Sequence, residues 1–273
     1  MAGARSVVPF QVAAGVYLVA VGRGALAANV YLVQNGAMWT LVDTAWAGSA
    51  AVIRKAAETL FGPGARPADI VLTHIHPDHS GAAGELARSW DVPVYVHPDE
   101  MPMAAGRYLP RYANPLDRWV VAPAMNLLPA KTRERIEAAG SIADVVRPLA
   151  PGAPVPELPE WECVSSPGHT PGHVALFRRG DGVLIAGDAI LTVDLNSVSD
   201  LLIGRRRLAG PPRYTTWDWP EALRSIGALA DVKPRILAPG HGRPVTTGTT
   251  AAMRTLAEHL QARSRGGRLG ERR

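Results

Sequence analysis

Four side chains that can ligate metal ions lie within six residues of the chain. The run THIHPDH at 73–79 directly follows an apolar stretch that we expect to be a buried strand. In an extended segment, residues two apart point to the same side, so His74 and His76 can bind one ion together. The proline that follows suits the first turn of a helix, and this turn would direct Asp78 and His79 towards a second ion. The spacing indicates a metal centre, and a solvated polar turn is the alternative.

Three later segments each end an apolar strand pattern with further residues of ligand type. The loop SPGHTPGH at 166–173 contains His169 and His173, the run LIAGD ends at Asp188, and LAPGHG contains His241. A glycine directly precedes each of these four residues, where it lets the backbone approach closely. One such residue alone would be weak support, because a single histidine is more often structural. In this order, the segments extend the predicted metal centre.

The complete pattern resembles that of the metallo-β-lactamase fold superfamily, in which an HxHxDH motif precedes a histidine, an aspartate and a second histidine. The resemblance covers about residues 16–259. Its motifs are specific for the superfamily and say little about the substrate. Together with strand patterns that precede helical patterns in each half, it implies an α/β fold, a four-layer αββα sandwich of two mixed sheets with outer helices.

Carried over residue by residue, the resemblance implies two metal sites that share one carboxylate. The implied ligands are His74, His76 and His169 for the first metal, Asp78, His79 and His241 for the second, and Asp188 as the bridge between both. This mixture of imidazole and carboxylate suits two Zn²⁺ ions, and iron or manganese is also open.

Such a centre implies hydrolysis without a serine or cysteine nucleophile. Two metal ions lower the pKa of a shared water, and the resulting bridging hydroxide attacks the carbonyl of an ester, thioester or lactone. Asp78 then has a catalytic role, because it can accept a proton from the water and pass it to the leaving group. We therefore expect a small-molecule substrate.

Two further polar residues are expected to support the ligands. Asp43, in LVDT, matches an Asp-Thr-Gly seen in relatives, except that Ala45 stands where they have glycine. Such an aspartate orients a ligand histidine by a hydrogen bond, and a turn cap is the alternative. We expect His173 to support the site without binding metal, because His169 fits the order of the motifs better. His97 follows a strand pattern and is expected to be a turn histidine.

Aromatic and arginine side chains cluster in two segments outside the strand patterns. Tyr108 and Tyr112 lie in the first segment, and Tyr214 and Trp217 lie in the second. Beside a metal site they could bind an acidic or acyl substrate. They could equally pack internally or form contacts in a homodimer, so these uses stay open.

The elements that position these residues are typical of one domain. The sequence predicts a single domain over 1–262, interrupted at about 98–159 by a helical insertion in which the strand pattern is lost. Residues 263–273 are rich in glycine and arginine and have no apolar period, which predicts a basic disordered tail.

Charge and cysteine content limit the classes of function. Five arginines and one glutamate in 263–273 give +4 of the formal net charge of +5, which leaves about +1 for the body. This argues against a nucleic-acid partner. The single cysteine, Cys163, excludes an intrachain disulfide, and no apolar run is long enough to cross a membrane. We therefore expect a cytoplasmic enzyme.

Asp188 also separates the subfamilies that the resemblance covers. True zinc β-lactamases lack a bridging carboxylate at this point, and acyl-homoserine lactonases typically place a tyrosine three residues later, where this chain has Leu191. Glyoxalase II relatives share the GHTxGH form but normally add a C-terminal helical domain. The alternatives left open are a phosphodiesterase or nuclease of the same fold and an iron-dependent enzyme of the sulfur dioxygenase type.

Overall fold

The computed structural model describes residues 8–270. Its first sheet contains seven strands in the order β1 to β7. They are β1 Phe10–Ala13, β2 Val16–Val21, β3 Ala28–Asn35, β4 Met38–Val42, β5 Asp69–Val71, β6 Val94–Val96 and β7 Val146–Pro148. The first four strands pair antiparallel, and the pairs from β4 to β7 are parallel. The sheet is therefore mixed.

The second sheet contains five strands, and a two-stranded sheet accompanies it. The remaining strands are β8 Pro154–Val155, β9 Leu158–Ser165, β10 Val174–Arg178, β11 Val183–Gly187, β12 Leu191–Val193, β13 Arg206–Ala209 and β14 Ile236–Pro239. The five-stranded sheet has the order β14-β11-β10-β9-β8, and β12 pairs with β13. Only β11 and β14 pair in parallel within it, so this sheet is also mixed.

Helices follow the strands in each half of the chain. They are α1 Ala50–Phe61, α2 Pro77–Ser80, α3 Ala83–Trp90, α4 Met101–Ala104, α5 Ala122–Asn126, α6 Ala130–Gly140, α7 Val198–Ile203, α8 Trp219–Asp231 and α9 Thr249–Gly270. A 3₁₀ turn, Pro98–Glu100, precedes α4, and a π-helical turn, Asp117–Val121, precedes α5. Between residues 8 and 270, no helix combines the length and the apolar character that a membrane span requires.

Alternating apolar residues in the strands produce four layers. In β3, Val30 and Leu32 belong to the core that includes residues of α1 and α3. Their neighbours Tyr31 and Val33 belong to the core shared with the second sheet. The outer face of the second sheet, which includes Leu184, packs against α8 and α9. Successive side chains of a strand point to opposite faces of its sheet. Both faces of each sheet are therefore buried. The predicted αββα sandwich is confirmed.

The predicted insertion is longer than the segment that leaves the first sheet in the structure between β6 and β7, which we call the excursion. Residues Val146–Pro148 form β7, which pairs in parallel with β6 at the edge of the first sheet. The excursion therefore covers 98–145 instead of 98–159, and it contains the helices α4, α5 and α6, in agreement with its predicted helical character. Only Val146 is buried in this three-residue strand, so no apolar period could reveal it.

The predicted tail also differs from the structure where the two can be compared. Helix α9 continues to Gly270, so the segment predicted to be disordered from residue 263 is helical as far as 270. Arg263, Arg265 and Arg268 favour helix, and the helix extends beyond Ala257, the last of its described side chains that is buried. The rest of the predicted tail, 271–273, lies outside the described residues, as do 1–7 of the predicted domain.

Candidate metal centre

The predicted ligands follow the ends of strands at one edge of the sandwich. Strand β5 leads into the segment 73–79, the loop between β9 and β10 carries His169, β11 leads into Asp188, and β14 leads into His241. The first sheet reaches the last of these segments directly. The Asn29 side chain in β3 donates hydrogen bonds to the carbonyls of Pro239, at 2.8 Å, and Gly242, at 2.7 Å, which lie on either side of His241 in the chain. The two sheets are thus joined beside the candidate site.

The ligating atoms of all seven predicted residues form two adjacent groups. Within each group, the atoms lie within 4.8 Å of one another. The first group contains His74, His76 and His169, and the second contains Asp78, His79, Asp188 and His241. The structure thus brings together side chains from four distant parts of the sequence, in the grouping that the resemblance implied.

Asp188 contacts both groups. Its Oδ1 lies 3.3 Å from His79 Nε2, and its Oδ2 lies 3.6 Å from His241 Nε2, both in the second group. The same Oδ2 also lies 3.6 Å from His169 Nε2 in the first group. A carboxylate between the two sets of nitrogens is in the position that a bridging ligand requires.

Hydrogen bonds at the far side of each ring fix the orientation of four histidines. The partners of Nδ1 are Thr73 Oγ1 for His74 at 3.1 Å, Asp43 Oδ2 for His79 at 2.8 Å, Thr216 Oγ1 for His169 at 3.1 Å, and the Ala27 carbonyl for His241 at 3.0 Å. His76 differs, because its Nδ1 lies 2.9 Å from His169 Nε2 inside the first group. In the other four rings, Nδ1 is occupied by a residue outside the two groups, and Nε2 is the nitrogen left to ligate; of these, His74 Nε2 and His79 Nε2 have no hydrogen-bond partner within the described residues.

Three buried ligating atoms have no hydrogen-bond partner within residues 8–270. They are His74 Nε2, and also His79 Nε2 and Asp188 Oδ1, which lie 3.3 Å apart without hydrogen-bond geometry. Buried polar atoms nearly always have a partner, and an orphaned atom requires an explanation. A metal ion in each group would supply the missing partner, because neutral imidazole and carboxylate are the ligands that such ions take from proteins. The residues present therefore fit a pair of metal ions.

Asp43 makes the contact that its predicted supporting role requires. Besides its bond to His79, its carboxylate accepts hydrogen bonds from the backbone N–H of Thr73 at 2.8 Å and from the Thr73 hydroxyl at 2.9 Å. Asp43 and Ala45 have φ values of +60° and +54°, both in the left-handed region, and Ala45 is the position at which relatives were expected to carry glycine. This backbone turns the buried carboxylate towards a ligand of the second group.

His173 lies beneath Asp188 and belongs to neither group. Its Nε2 accepts a hydrogen bond from the backbone N–H of Asp188 at 3.1 Å, and its Nδ1 lies 2.8 Å from the hydroxyl oxygen of Ser166. Burial lowers the pKa of His173 to about 3, so the ring is neutral and can accept this bond. The contacts agree with a support for the bridging position.

The surroundings shift the histidine pKa values in opposite directions in the two groups. Burial, together with the neighbouring imidazoles, lowers the pKa of His74 and of His169 well below the ordinary value. Burial also lowers the pKa of His79, but the carboxylates of Asp188 and Asp43 outweigh it and raise the pKa well above the ordinary value. The three-histidine group therefore offers neutral rings, which is the form that binds metal.

Comparison with known proteins gives the family. A model of the metallo-beta-lactamase superfamily matches residues 23–241. The chain belongs to the metallo-beta-lactamase superfamily. It is similar to the "Probable metallo-hydrolase YflN" of Bacillus subtilis (strain 168), with 40% identity over 246 residues that cover 89% of each protein.

Solved structures agree with the superfamily fold. The metallo-beta-lactamase family protein TTHA1429 of Thermus thermophilus has a TM-score of 0.63 and 24% identity, with coverage of 94% of this chain and 81% of that protein. TTHA1623, solved in a di-iron-bound form, has a TM-score of 0.55 and 27% identity, with coverage of 86% and 97%. MIM-2 metallo-beta-lactamase has a TM-score of 0.64 at 18% identity, which supports the fold alone.

In this member of the superfamily, two of the four predicted substrate contacts line a cavity beside the first group. Tyr108 and Tyr112 share a cavity of about 290 Å³ with His76. Tyr112 also packs edge to face against Trp217, with the ring centroids 5.1 Å apart, so this pair joins the excursion to the later loop. The Tyr214 side chain is exposed over 43% of its surface. A substrate role for these residues stays a prediction.

Several polar residues that contact the ligand segments were not identified from the sequence, among them Asn29, Thr73, Thr216 and Glu100. The Thr73 side chain was overlooked inside the motif, although it lies next to a ligand. Thr216 and Glu100 carry no sequence signal, because each reaches its ligand segment only through the tertiary fold.

Proposed function

We propose that this protein is a binuclear metal-dependent hydrolase of an ester, thioester or lactone. The observation that carries the proposal is the position of Asp188, which contacts both groups while buried ligating atoms in each lack a partner. Membership of the superfamily and similarity to a protein named a probable metallo-hydrolase support the same reaction class.

The proposed ligands are the seven residues of the two groups, with Asp188 shared between them. We propose zinc as the metal, because a histidine-rich set with carboxylates suits Zn²⁺. Iron belongs in the test as well, because TTHA1623 was solved in a di-iron-bound form. Two bound metal ions would supply a water of lowered pKa and would polarise the oxygen of the bond to be cleaved.

Asp78 is the proposed proton carrier. Its side chain is exposed over 21% of its surface, compared with 4% for Asp188, so it is the carboxylate that a substrate can reach. Its Oδ2 lies 3.1 Å from His241 Nε2, which fixes its orientation. In hydrolysis, Asp78 would accept the proton that water loses and return it to the leaving oxygen or sulfur atom.

The substrate would approach past the more exposed members of the two groups. His76 and Asp78 are half-buried, whereas the other five ligands are buried. The cavity that His76 shares with Tyr108 and Tyr112 has about 290 Å³ of space, which suits a small molecule. The proposal includes a cytoplasmic location, which the single cysteine supports because disulfides are rare in reducing compartments.

A substrate panel with a matched pair of variants tests the proposal. We expect the zinc- or iron-loaded protein to hydrolyse p-nitrophenyl esters, thioesters or lactones, and Asp188→Ala to lose this turnover while remaining folded. Asp144→Ala is the control, because Asp144 forms an exposed ion pair with Arg88, and such pairs contribute little to stability. Turnover of phosphodiesters alone would favour the nuclease alternative, and full activity in Asp188→Ala would contradict the proposal.

A further inference from the structure

Glu100 is a fully buried carboxylate between two segments that carry metal-ligating residues. It ends the 3₁₀ turn Pro98–Glu100, which follows β6, and its exposure is 0%. Its Oε2 accepts a hydrogen bond from the backbone N–H of Ile75 at 3.0 Å. Its Oε1 accepts one from the backbone N–H of Gly172 at 2.7 Å. Each oxygen therefore binds a different segment.

These two segments together carry the whole three-histidine group. Ile75 lies between His74 and His76 in the chain, and Gly172 lies three residues after His169 in the loop between β9 and β10. The first segment follows the first sheet and the second belongs to the second sheet. Glu100 thus links the two sheets at the level of this group.

We propose that Glu100 is a positioning residue that holds these two segments at the separation the three-histidine group needs to bind its metal ion. The inference rests on the proposed function only in requiring a metal centre, and it does not depend on the substrate.

The loop at Gly172 fits closely against Glu100. A Cβ atom at this position would lie 2.8 Å from Glu100 Cγ and 2.7 Å from His97 Nδ1. His97 is itself fixed, because its Nδ1 accepts a hydrogen bond from the backbone N–H of Asp99 at 3.1 Å. A side chain at 172 would therefore move the loop away from Glu100 and weaken the link from the other side.

A structural role in overall stability explains Glu100 poorly. Within residues 8–270, no cationic side chain forms an ion pair with it, and burial raises its pKa to about 7 although the backbone donors partly offset this. A buried carboxylate without a counter-charge is unfavourable for folding. Such unfavourable groups are expected at functional sites.

The second group has other supports. His79 is held by Asp43 and His241 is held by the Ala27 carbonyl, and Glu100 contacts neither. Removing the link through Glu100 should therefore weaken one metal position and spare the other. A merely structural role would affect both positions together.

Titration of the metal-free protein with Co²⁺ alone tests this asymmetry. Calorimetry and the visible absorption of bound Co²⁺ should resolve two binding steps in the wild-type protein. Glu100→Gln preserves the shape of the side chain, but its amide NH₂ must face one of the two backbone N–H groups. We expect one step to weaken about 10- to 100-fold, as for other residues that orient ligands, and the other step to stay unchanged.

Two further variants complete the design. Gly172→Ala should weaken the same step, because the added methyl group moves the backbone N–H of residue 172 away from the Glu100 carboxylate. Asp99→Asn is the matched control, since this neighbouring carboxylate is 56% exposed, and it should bind like the wild type. Thermal unfolding of each metal-free variant shows whether the fold is intact.

The outcomes separate this inference from the proposed function. Two wild-type steps that Glu100→Gln leaves unchanged would overturn the inference alone. Equal weakening of both steps, together with a lower unfolding temperature of the metal-free variant, would reduce Glu100 to a structural residue. A wild-type protein that binds no Co²⁺ would overturn the proposed function and this inference with it.

Discussion

The buried carboxylate of Asp43 orients His79, a ligand of the second group, by a hydrogen bond. One oxygen accepts from the Thr73 backbone at 2.8 Å, while the other lies 2.8 Å from His79 Nδ1. The ring of His79 therefore cannot rotate, and its Nε2 stays directed at the ligands of the second group. Partners of this kind raise the basicity of a ligating histidine as well as orienting it.

Asp43→Asn should weaken metal binding at the second group. Asparagine keeps one acceptor oxygen, but it loses the negative charge and places an NH₂ group against a donor. We expect about 10- to 100-fold lower affinity for one metal ion, measured by titration of metal-free protein with Zn²⁺. Asp144→Asn, on the surface, should bind as the wild type does. Unchanged affinity in Asp43→Asn would show that this bond does not support the site.

The ligands could be predicted from the sequence because each lies in a short motif at the end of an apolar run. Their partners could not be predicted in the same way. Thr216 is 47 residues from His169, and Glu100 is 25 and 72 residues from the backbone groups it binds. Only the closed fold brings such residues together, so local spacing contains no signal for them.

At the scale of elements, the loop between β9 and β10 is fixed against α8. Gly168 has a φ of +124°, and a Cβ atom there would lie 2.1 Å from the backbone nitrogen of Ala222 in α8. The Gly168 carbonyl also accepts a hydrogen bond from the Asp218 N–H at 2.9 Å, and the Ser225 hydroxyl donates to the Pro167 carbonyl. This helix therefore sets the position of His169.

Gly168→Ala should unfold more easily than the wild type. The added methyl group meets helix backbone that cannot move aside, and the residue keeps an unfavourable φ, so we expect a loss of about 3 kcal/mol in the free energy of unfolding. Gly180→Ala is the control, because a Cβ atom there meets nothing within 4 Å. Urea unfolding measures both variants, and equal stabilities would contradict the close contact.

Element prediction succeeded where the periodicity was long and failed where it was short. The helical character of the excursion was predicted, and its α6 runs for 11 residues, whereas β7 has three residues and one buried side chain. Its strand character comes from pairing with β6, which is a tertiary contact. Helix α9 likewise continues to Gly270, beyond Ala257, the last of its described side chains that is buried.

At the scale of the whole molecule, the sandwich contains a buried carboxylate at the first residue of β5. The metal ligands follow the opposite end of this strand. Asp69 is 1% exposed, and Thr40 in β4 is its partner in register. Burial raises the pKa of Asp69 from 3.8 to about 7. The folded protein therefore binds a proton here that the unfolded chain releases at lower pH.

Asp69→Asn should change how stability depends on pH. Between about pH 4 and pH 7 the folded state holds more protons at this residue than the unfolded state, so its contribution to stability falls as the pH rises through this window. Asparagine does not titrate, and the variant should gain stability relative to the wild type as the pH rises from the lower to the upper end of this window. Urea unfolding at both ends measures the difference, and parallel pH profiles would contradict the raised pKa.

The central claim concerns two metal ions held in one site, and metal analysis of protein purified without added metal tests it most directly. We predict about two bound zinc or iron ions per chain in the wild-type protein, removed by a chelator together with hydrolytic activity and restored with it when metal is returned. A chelated protein that hydrolyses its substrate at the original rate, or a purified chain that binds no metal ion, would contradict the account.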